Sequence, residues 1–551
     1  MNCAEALVRM LENIGVTHVF GIPGAKIDEV FIALASSKIK LVVCRHEQNA
    51  AFMAAAMGRM TGHVGVCLVT SGPGVANLAT GLITATSEGS PILAIGGEVP
   101  LEDRLKQTHQ TLDGVTVLKS LTKYSAEVVA PQELGDIFGN AVRAAESGRP
   151  GASFISLPKD VGIAPFHEEI PDTLGKPIEQ GPGSRSEIEK AAKLINASRK
   201  TTILLGMQSS DPREADAVRR FITASSLPYV STFQGAGNWA SSKGKSFFGG
   251  RVGIFNNQPG DRLLQQSDCV IAIGYSPVEY DTSLWNKQRK GSLINIDVIP
   301  SDQDRNFLPN IELIGNLTAS LDLLTPLLKP QLDPTHFHDL NAARQEINDI
   351  IATGVARTGY PIHPLRILHE LRQVVTDQTT LSIDVGSFYI WMDRYFAAAF
   401  PRQFLVSNGQ QTLGVALPSA MAANIARPGT PVISISGDGG FLFSAVELET
   451  AKRIGSRFVH LIWDSGTYDM VAFQEEAHYG GRTAGIQLGQ INIVAFAEAF
   501  GCKGIQISKP EELAPALRES LASTVPVLIN IPVDYSDNLS LMKMVHQAAV
   551  N

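Results

Sequence analysis

The chain has 551 residues, of which 44% are apolar and 18% charged, and its formal net charge is −8. An acidic balance with no Lys/Arg cluster excludes a nucleic-acid binder, which needs a basic face against phosphate. No apolar run approaches the roughly 20 residues that span a bilayer, and five scattered cysteines (Cys3, Cys44, Cys67, Cys269, Cys502) without metal-ligand spacing fit free thiols in a reducing compartment.

The length prior gives about three to four domains. At the N-terminus Ala4, Leu7, Val8 and Leu11 fall on one helical face, with Glu5 and Glu12 in the same segment. This reads as a core-facing helix rather than a signal peptide, so the expectation is a soluble, cytoplasmic chain. Up to about residue 165, helix-period segments alternate with the apolar runs Thr17–Phe20, Lys40–Cys44, Gly65–Thr70, Ile92–Gly96 and Ser153–Leu157. That alternation predicts an α/β fold, a doubly wound parallel sheet with helices on both faces. A polar, Pro- and Gly-rich stretch at about 166–185 reads as a linker. A second alternating region follows, with strands predicted at Thr202–Leu205, Tyr229–Thr232, Cys269–Ile273 and Leu293–Asp297. From Lys329 to about His363 the chain is polar again and reads as a second linker, partly helical. The third region has runs at Thr380–Val385, Phe404–Ser407, Val432–Ser436, Phe458–Trp463 and Val527–Ile531. The domains expected are therefore 1–165, 185–330 and 360–551. Val66–Ala85 and Val432–Ala451 echo each other as strand, glycine turn and helix, either as variants of one architecture or by coincidence.

Candidate chemistry falls at the predicted strand ends. After Val432–Ser436 come Gly437-Asp438-Gly439-Gly440, and after Phe458–Trp463 comes the polar turn Asp464-Ser465-Gly466-Thr467. Glycines beside a helix start let backbone N–H groups reach a phosphate, and Asp438 with the second turn offers oxygen ligands to a hard cation. An ordinary strand–helix turn is the plain alternative, as it is for Asp384-Val385-Gly386-Ser387. Glu47, after Lys40–Cys44, is either a desolvated acid with a raised pKa or an exposed helix cap. His109-Gln110 lies in a polar stretch that is either functional or merely solvated. Leu413, the isolated apolar residue of the turn Asn408–Gly414, reads most plainly as a core anchor. Gly235-Ala236-Gly237-Asn238-Trp239-Ala240 is half a dinucleotide fingerprint with no acidic residue about 20 positions on, and Gly244-Lys245-Ser246 lacks the first glycine of a phosphate-binding loop.

The order of these signals carries more than any one of them. A strand-end Glu47, Ser71-Gly72-Pro73-Gly74, the Gly437–Gly440 turn and a second polar turn resemble the thiamine diphosphate enzymes of the acetohydroxyacid synthase and pyruvate decarboxylase superfamily. The stretches Arg45–Gly62, Val69–Gly81, Phe255–Gln265, Tyr275–Asp281 and Ser407–Ala423 look closer still to its catabolic acetolactate synthases. The resemblance implies three doubly wound parallel-sheet domains, for the pyrimidine, a central role and the diphosphate. It implies that Glu47 contacts the aminopyrimidine N1′, that Gln110 faces substrate, and that Pro23, Gly24, Thr70, Pro73 and Asn77 line the pyrimidine end. Gly386, Ser387, Gly437, Gly439, Gly440 and Tyr468 become the diphosphate cradle, and Leu413 the wedge under the bent cofactor. Asp438 and the Thr467 carbonyl become Mg²⁺ ligands. The family's second metal position usually holds Asn or Asp. Here that slot, 27 positions after Asp438, is Ser465, with Asp464 one place earlier. The serine is the expected ligand, because Thr467-Tyr468 keeps its offset. Lys26, Arg45 and His109 are candidates for holding the substrate carboxylate.

The activity implied is condensation of two pyruvates to 2-acetolactate with loss of CO₂, feeding acetoin or butanediol formation. The rivals are a simple 2-oxo acid decarboxylase and a non-catalytic nucleotide-binding protein on the same fold. The biosynthetic members' Arg-Phe-Asp-Asp-Arg segment that contacts FAD corresponds here to Gly274–Tyr280, without arginine. The expectation is therefore thiamine diphosphate and Mg²⁺ but no FAD. A homo-oligomer is expected as well, a dimer with shared active sites or a tetramer, with no regulatory subunit.

Overall fold

The computed structural model describes residues 1–237, 247–288, 290–329, 332–539 and 541. It contains three six-stranded sheets. The first holds β1 (His18–Ile22), β2 (Lys40–Val43), β3 (Gly65–Val69), β4 (Ile92–Glu98), β5 (Tyr124–Glu127) and β6 (Ala152–Pro158), in the order β2-β1-β3-β4-β6-β5. The second holds β7 (Thr201–Leu205), β8 (Tyr229–Ser231), β9 (Phe248–Arg251), β10 (Cys269–Ile273), β11 (Ser292–Asp297) and β12 (Ile311–Ile314), ordered β12-β11-β10-β7-β8-β9. The third holds β13 (Thr380–Ile383), β14 (Phe404–Val406), β15 (Val432–Gly437), β16 (Val459–Asp464), β17 (Lys503–Gln506) and β18 (Val527–Pro532), ordered β14-β13-β15-β16-β18-β17. Every pairing within the sheets is parallel.

Parallel strands need crossover helices, and helices on both faces bury the central strands on both sides. β3, β4 and β6 are buried at every residue, as are β7, β10 and β15. These strands are rich in apolar residues, with serines interspersed on β6 and β15. Every predicted run forms a strand, with ends displaced by at most two residues. Four strands were not predicted: β5, β9, β12 and β17, each at the end of its sheet. β5 and β17 are partly exposed, and their sequences Tyr-Ser-Ala-Glu and Lys-Gly-Ile-Gln carry no apolar run, while β9 and β12 are interrupted by two glycines and a glutamate.

The first and third sheets share one strand order when numbered from their own first strand. The two echoing segments fall on β3 and β15, the third strand of each, so the echo reflects one architecture used twice. The second sheet, read from β9, has the 3-2-1-4-5-6 order of a dinucleotide-type fold. Its half fingerprint serves packing: a Cβ on Gly235 would lie 2.4 Å from Leu205 O, and one on Gly237 would lie 1.9 Å from Phe400 O. Asn238, Trp239, Ala240 and Gly244-Lys245-Ser246 lie outside the described residues.

Two compact bodies emerge. One is Met1–Ile178 with Leu417–Pro428 and Ser444–Ser456; the other is Glu179–Ala416, Gly429–Phe443 and Arg457–Asn551. The N-terminal helix, Cys3–Asn13, buries Ala4, Leu7, Val8 and Leu11 as its periodicity predicts, with a capping box between Asn2 and Glu5. The stretch 164–184 forms no helix or strand. The stretch from Lys329 to His363 carries a 19-residue helix, Pro334–Ala352, which buries His336, Leu340 and Ala343. Among the described residues no helix is long and apolar enough to cross a membrane.

Candidate active site

In the first body the carboxyl ends of β1, β2 and β3 gather the residues expected at the pyrimidine end. Glu47 opens the helix Glu47–Thr61, whose N-cap His46 is extended and accepts the Gln48 N–H through Nδ1 at 3.1 Å. A second carboxylate secures this start. Glu447, fully buried in the Ser444–Ser456 segment of the same body, accepts the N–H groups of Arg45 (2.9 Å) and His46 (3.1 Å) and the Asn49 Nδ2 (3.1 Å). Negative charge at a helix N-terminus is favourable, and these bonds fix the backbone just before Glu47. Sequence reasoning passed over Glu447 because it lies 400 positions from Glu47.

Glu47 is half-buried, and its Oε2 accepts from Asn77 Nδ2 at 2.9 Å. It is therefore neither a fully desolvated acid nor a plain exposed cap. Thr70 Oγ1 is buried without a hydrogen-bond partner, and so is Ser71 Oγ. Gly24 is held to glycine by close approach: a Cβ there would lie 2.6 Å from Thr70 Cβ and Oγ1. A Cβ at Gly72 would lie 3.1 Å from Gln110 Cα, so Gln110 sits against the Ser71–Gly74 turn. Gln110 adopts a left-handed φ of 64°, as do four other non-glycine residues among those described. Pro23 and Pro73 are exposed and Lys26 is half-exposed. Of the proposed substrate-carboxylate holders, His109 is exposed and Arg45 points to Glu449 at 3.9 Å.

The second body holds the expected diphosphate end. Asp438 follows β15 and starts the short helix Asp438–Leu442. Its Oδ2 accepts the Gly466 N–H at 2.8 Å, which draws the β16 turn onto it, while its Oδ1 is buried with no partner. Burial, with the Asp464 charge beside it, pushes the Asp438 carboxyl up to about 6. A bound cation reverses that by favouring the ionised form. Ser465 Oγ lies 3.1 Å from the Thr467 carbonyl oxygen. Neighbouring ligands in an octahedral Mg²⁺ shell stand about 2.9 Å apart for the usual metal–oxygen lengths. Asp464 ends β16 and its Oδ2 is bound by Asn530 Nδ2 on β18 at 2.9 Å. A cavity of about 290 Å³ opens here, lined by Asp438, Gly439, Asp464, Gly466, Tyr468 and Leu488. Gly439 lies under the Tyr468 ring, where a Cβ would come within 2.6 Å of Cε1.

Asp384, which in the sequence is only part of a glycine turn, ties this end together. Its fully buried carboxylate accepts the N–H groups of Val385 (2.8 Å), Gly414 (2.9 Å to Oδ2) and Ala416 (3.3 Å). Burial raises it to about 6 despite those bonds. It sets the Leu413–Gly414 turn against Gly440, where a Cβ would lie 3.3 Å from Asp384 Oδ1 and 3.6 Å from Leu413 Cδ2. Leu413 itself is half-exposed, so it is not a core anchor. Gly386 and Gly437 flank the Phe388 ring. Ser387 is fully buried; its N–H is bound by Asp469 Oδ2 at 2.9 Å and its Oγ accepts from Asn538 at 2.8 Å. A phosphate oxygen at the Ser387 N–H would take that carboxylate's place.

These donors fit a diphosphate carried by a divalent cation: an unpartnered Asp438 oxygen, a hydroxyl, a carbonyl and a glycine floor. Among the described residues no three His, Cys, Asp or Glu side chains form a metal-holding group, so such a site depends on neutral oxygens as well. A larger hollow of about 1420 Å³ lies beside Thr17, His18 and Lys40. Those residues stand at the amino ends of β1 and β2, the wrong edge for a ligand in a parallel sheet.

The order of the three sheets and these two strand-end clusters agree with three family matches. Residues 1–117 match the thiamine pyrophosphate enzyme N-terminal TPP binding domain, 188–324 its central domain, and 384–531 its C-terminal TPP binding domain. The chain is 44% identical over 539 residues to an acetolactate synthase of Bacillus subtilis (strain 168), covering 98% of this chain and 94% of the relative. The chain belongs to the acetolactate synthase family of thiamine pyrophosphate enzymes. It is also 43% identical to a catabolic acetolactate synthase of Raoultella terrigena, over 99% of this chain and 98% of that one. With an acetolactate synthase isozyme 2 large subunit of Escherichia coli (strain K12) the identity is 29%, over 98% of this chain and 97% of the relative. Each sheet of the fold answers to one matched family domain.

Proposed function

We propose that the chain is a catabolic acetolactate synthase, converting two pyruvates to 2-acetolactate and CO₂. One observation carries the reading: an acid at a helix start and an unpartnered aspartate oxygen with a hydroxyl–carbonyl pair, on the two sheets of identical strand order. The higher identity to single-name and catabolic relatives than to a large subunit favours the catabolic branch, an enzyme without a regulatory subunit, and the acetoin or butanediol route. We take 1–165, 185–330 and 360–551 as its three domains.

Thiamine diphosphate supplies, when bound, the nucleophilic carbon and the electron sink that the decarboxylation and ligation need. The chain's own residues do the rest. Glu47, held by Asn77 and following a backbone that Glu447 fixes, would hold or release a proton at the aminopyrimidine N1′. Thr70 with its unpartnered hydroxyl, Pro23, Gly24, Pro73 and Asn77 would line the ring, and Gln110 would face substrate. Asp438, Ser465 and the Thr467 carbonyl would hold Mg²⁺. Gly386, Ser387, Gly437, Gly439, Gly440 and Tyr468 would surround the diphosphate, and Leu413 would support the bend. A homo-oligomer completes the reading, the pyrimidine end of one chain serving the diphosphate end of its partner, in a dimer or tetramer. No FAD contact is assigned.

Incubation with pyruvate, thiamine diphosphate and Mg²⁺ followed by product analysis tests this. 2-Acetolactate, or acetoin after acid treatment, is expected as the main product. Acetaldehyde as the main product would mean a simple decarboxylase instead.

A further inference from the structure

The central sheet has its own strand-end site, and the chain fills that site itself. In the order β9-β8-β7-β10-β11-β12 the chain runs outward in both directions from the β7–β10 pair, so the topological switch point lies between them. Ligands of such sheets bind in the crevice at the carboxyl ends of the strands, there. The turns that bound it are Gly206-Met207 after β7, Thr232 after β8 and Gly274-Tyr275-Ser276 after β10.

The carboxylate of Glu279 lies in that crevice and is 3% exposed. Its Oε2 accepts the N–H of Met207 at 2.8 Å and of Ser276 at 3.2 Å, and its Oε1 accepts the hydroxyl of Thr232 at 2.6 Å. Three strand ends thus aim two backbone N–H groups and one hydroxyl at a single anion. Convergent backbone N–H groups with a hydroxyl are what a sheet of this order offers a phosphate oxygen. The fit is close: a Cβ on Gly206 would lie 2.8 Å from Glu279 Oε2 and 2.3 Å from Tyr275 Cα. Asn408 Nδ2 holds the Glu279 carbonyl at 2.7 Å, fixing the backbone that presents the carboxylate.

We propose that Glu279 is a built-in anion occupying the phosphate subsite of the central sheet, and that the subsite takes a small free oxyanion once the carboxylate is removed. It follows that the crevice is closed to nucleotide phosphates in the native chain. The proposal stands apart from the acetolactate synthase reading, since its test measures stability rather than turnover.

Full-length Glu279→Ala and the wild-type chain would be melted in sodium chloride, sodium formate and sodium phosphate at matched pH and ionic strength. The variant is expected to melt several degrees lower in chloride, because its buried N–H groups lose their acceptor. Formate or phosphate at millimolar levels is expected to restore part of that loss saturably, with no comparable rise in the wild type. A variant that responds to formate and phosphate no more than the wild type does would overturn the proposal. Should Glu279→Ala not fold, Glu279→Gln serves, since it keeps the shape and loses the charge. A lowered melting temperature for Glu279→Gln supports the anionic role, and a wild-type melting temperature sinks it.

Discussion

At the proposed metal end, Ser465 stands where the resembled family usually has Asn or Asp. A neutral hydroxyl is a poorer Mg²⁺ ligand than a carboxylate. The 3.1 Å spacing of Ser465 Oγ from the Thr467 carbonyl suits two neighbouring ligands, whereas Asn530 holds one Asp464 oxygen toward β18. Ser465→Asp is therefore expected to tighten Mg²⁺ by about tenfold, and Ser465→Ala to weaken it, with Asp464→Asn changing it less than either. Mg²⁺ titrations of cofactor reconstitution measure this, and a larger effect at Asp464 than at Ser465 would transfer the ligand role. Glu47→Gln keeps the Asn77 contact through its amide oxygen but removes the ionisable group. It is expected to lower kcat by roughly 10²- to 10⁴-fold, the usual worth of a positioned acid–base group, while far-UV dichroism and melting stay unchanged. Near-wild-type kcat in a folded Glu47→Gln would exclude the acid–base role.

Between strands, one buried pair decides part of the pH response. His460 on β16 is fully buried beside Ser434 of β15, its Nδ1 2.6 Å from Ser434 Oγ and its Nε2 2.8 Å from Ser436 Oγ. One ring nitrogen donates and the other accepts, so the neutral imidazole satisfies both hydroxyls. Burial holds its pKa down to about 3 against an ordinary 6.5. The unfolded chain therefore binds the proton first as pH falls. The contribution of neutral His460 is complete above pH 6.5 and drains away toward pH 3, by roughly 1.4 kcal/mol per unit. Asp384 and Asp393, raised by burial to about 6 and about 7, act in the opposite sense. The variant-minus-native difference is thus the diagnostic quantity. Denaturant melts of His460→Gln between pH 7 and 4 should show a shallower fall than the native chain. Parallel slopes would show that the imidazole titrates freely in the fold.

Oligomer geometry belongs to the whole molecule. If pyrimidine and diphosphate ends meet across a subunit boundary, chains carrying Glu47→Gln and chains carrying Asp438→Asn repair one another. Random co-assembly then leaves about a quarter of the sites intact in a symmetric oligomer. Co-expression of the two variants, each inactive alone, is expected to restore activity near that fraction. No recovery in a verified mixed oligomer would place the complete site within one chain.

The sequence by itself determined the parallel architecture, because strands buried on both faces must read as apolar runs, and it located the glycine turns and the acids at their ends. The same rule hid β5 and β17, whose partly exposed residues carry no apolar run, and β9 and β12, where two glycines or a glutamate interrupt it. Motif order proposed roles for Glu47, Asp438 and Leu413, since those residues lie at strand ends and in the turns that follow them. Only the tertiary structure revealed what holds them. Glu447 braces the backbone ahead of the Glu47 helix from 400 positions away, Asp384 anchors the Leu413 turn, and Glu279 occupies the central crevice. Each is a buried carboxylate paired with backbone N–H groups. Neither the residue type nor its local spacing distinguishes such a group from a solvated surface charge, because only the fold brings those donors to it.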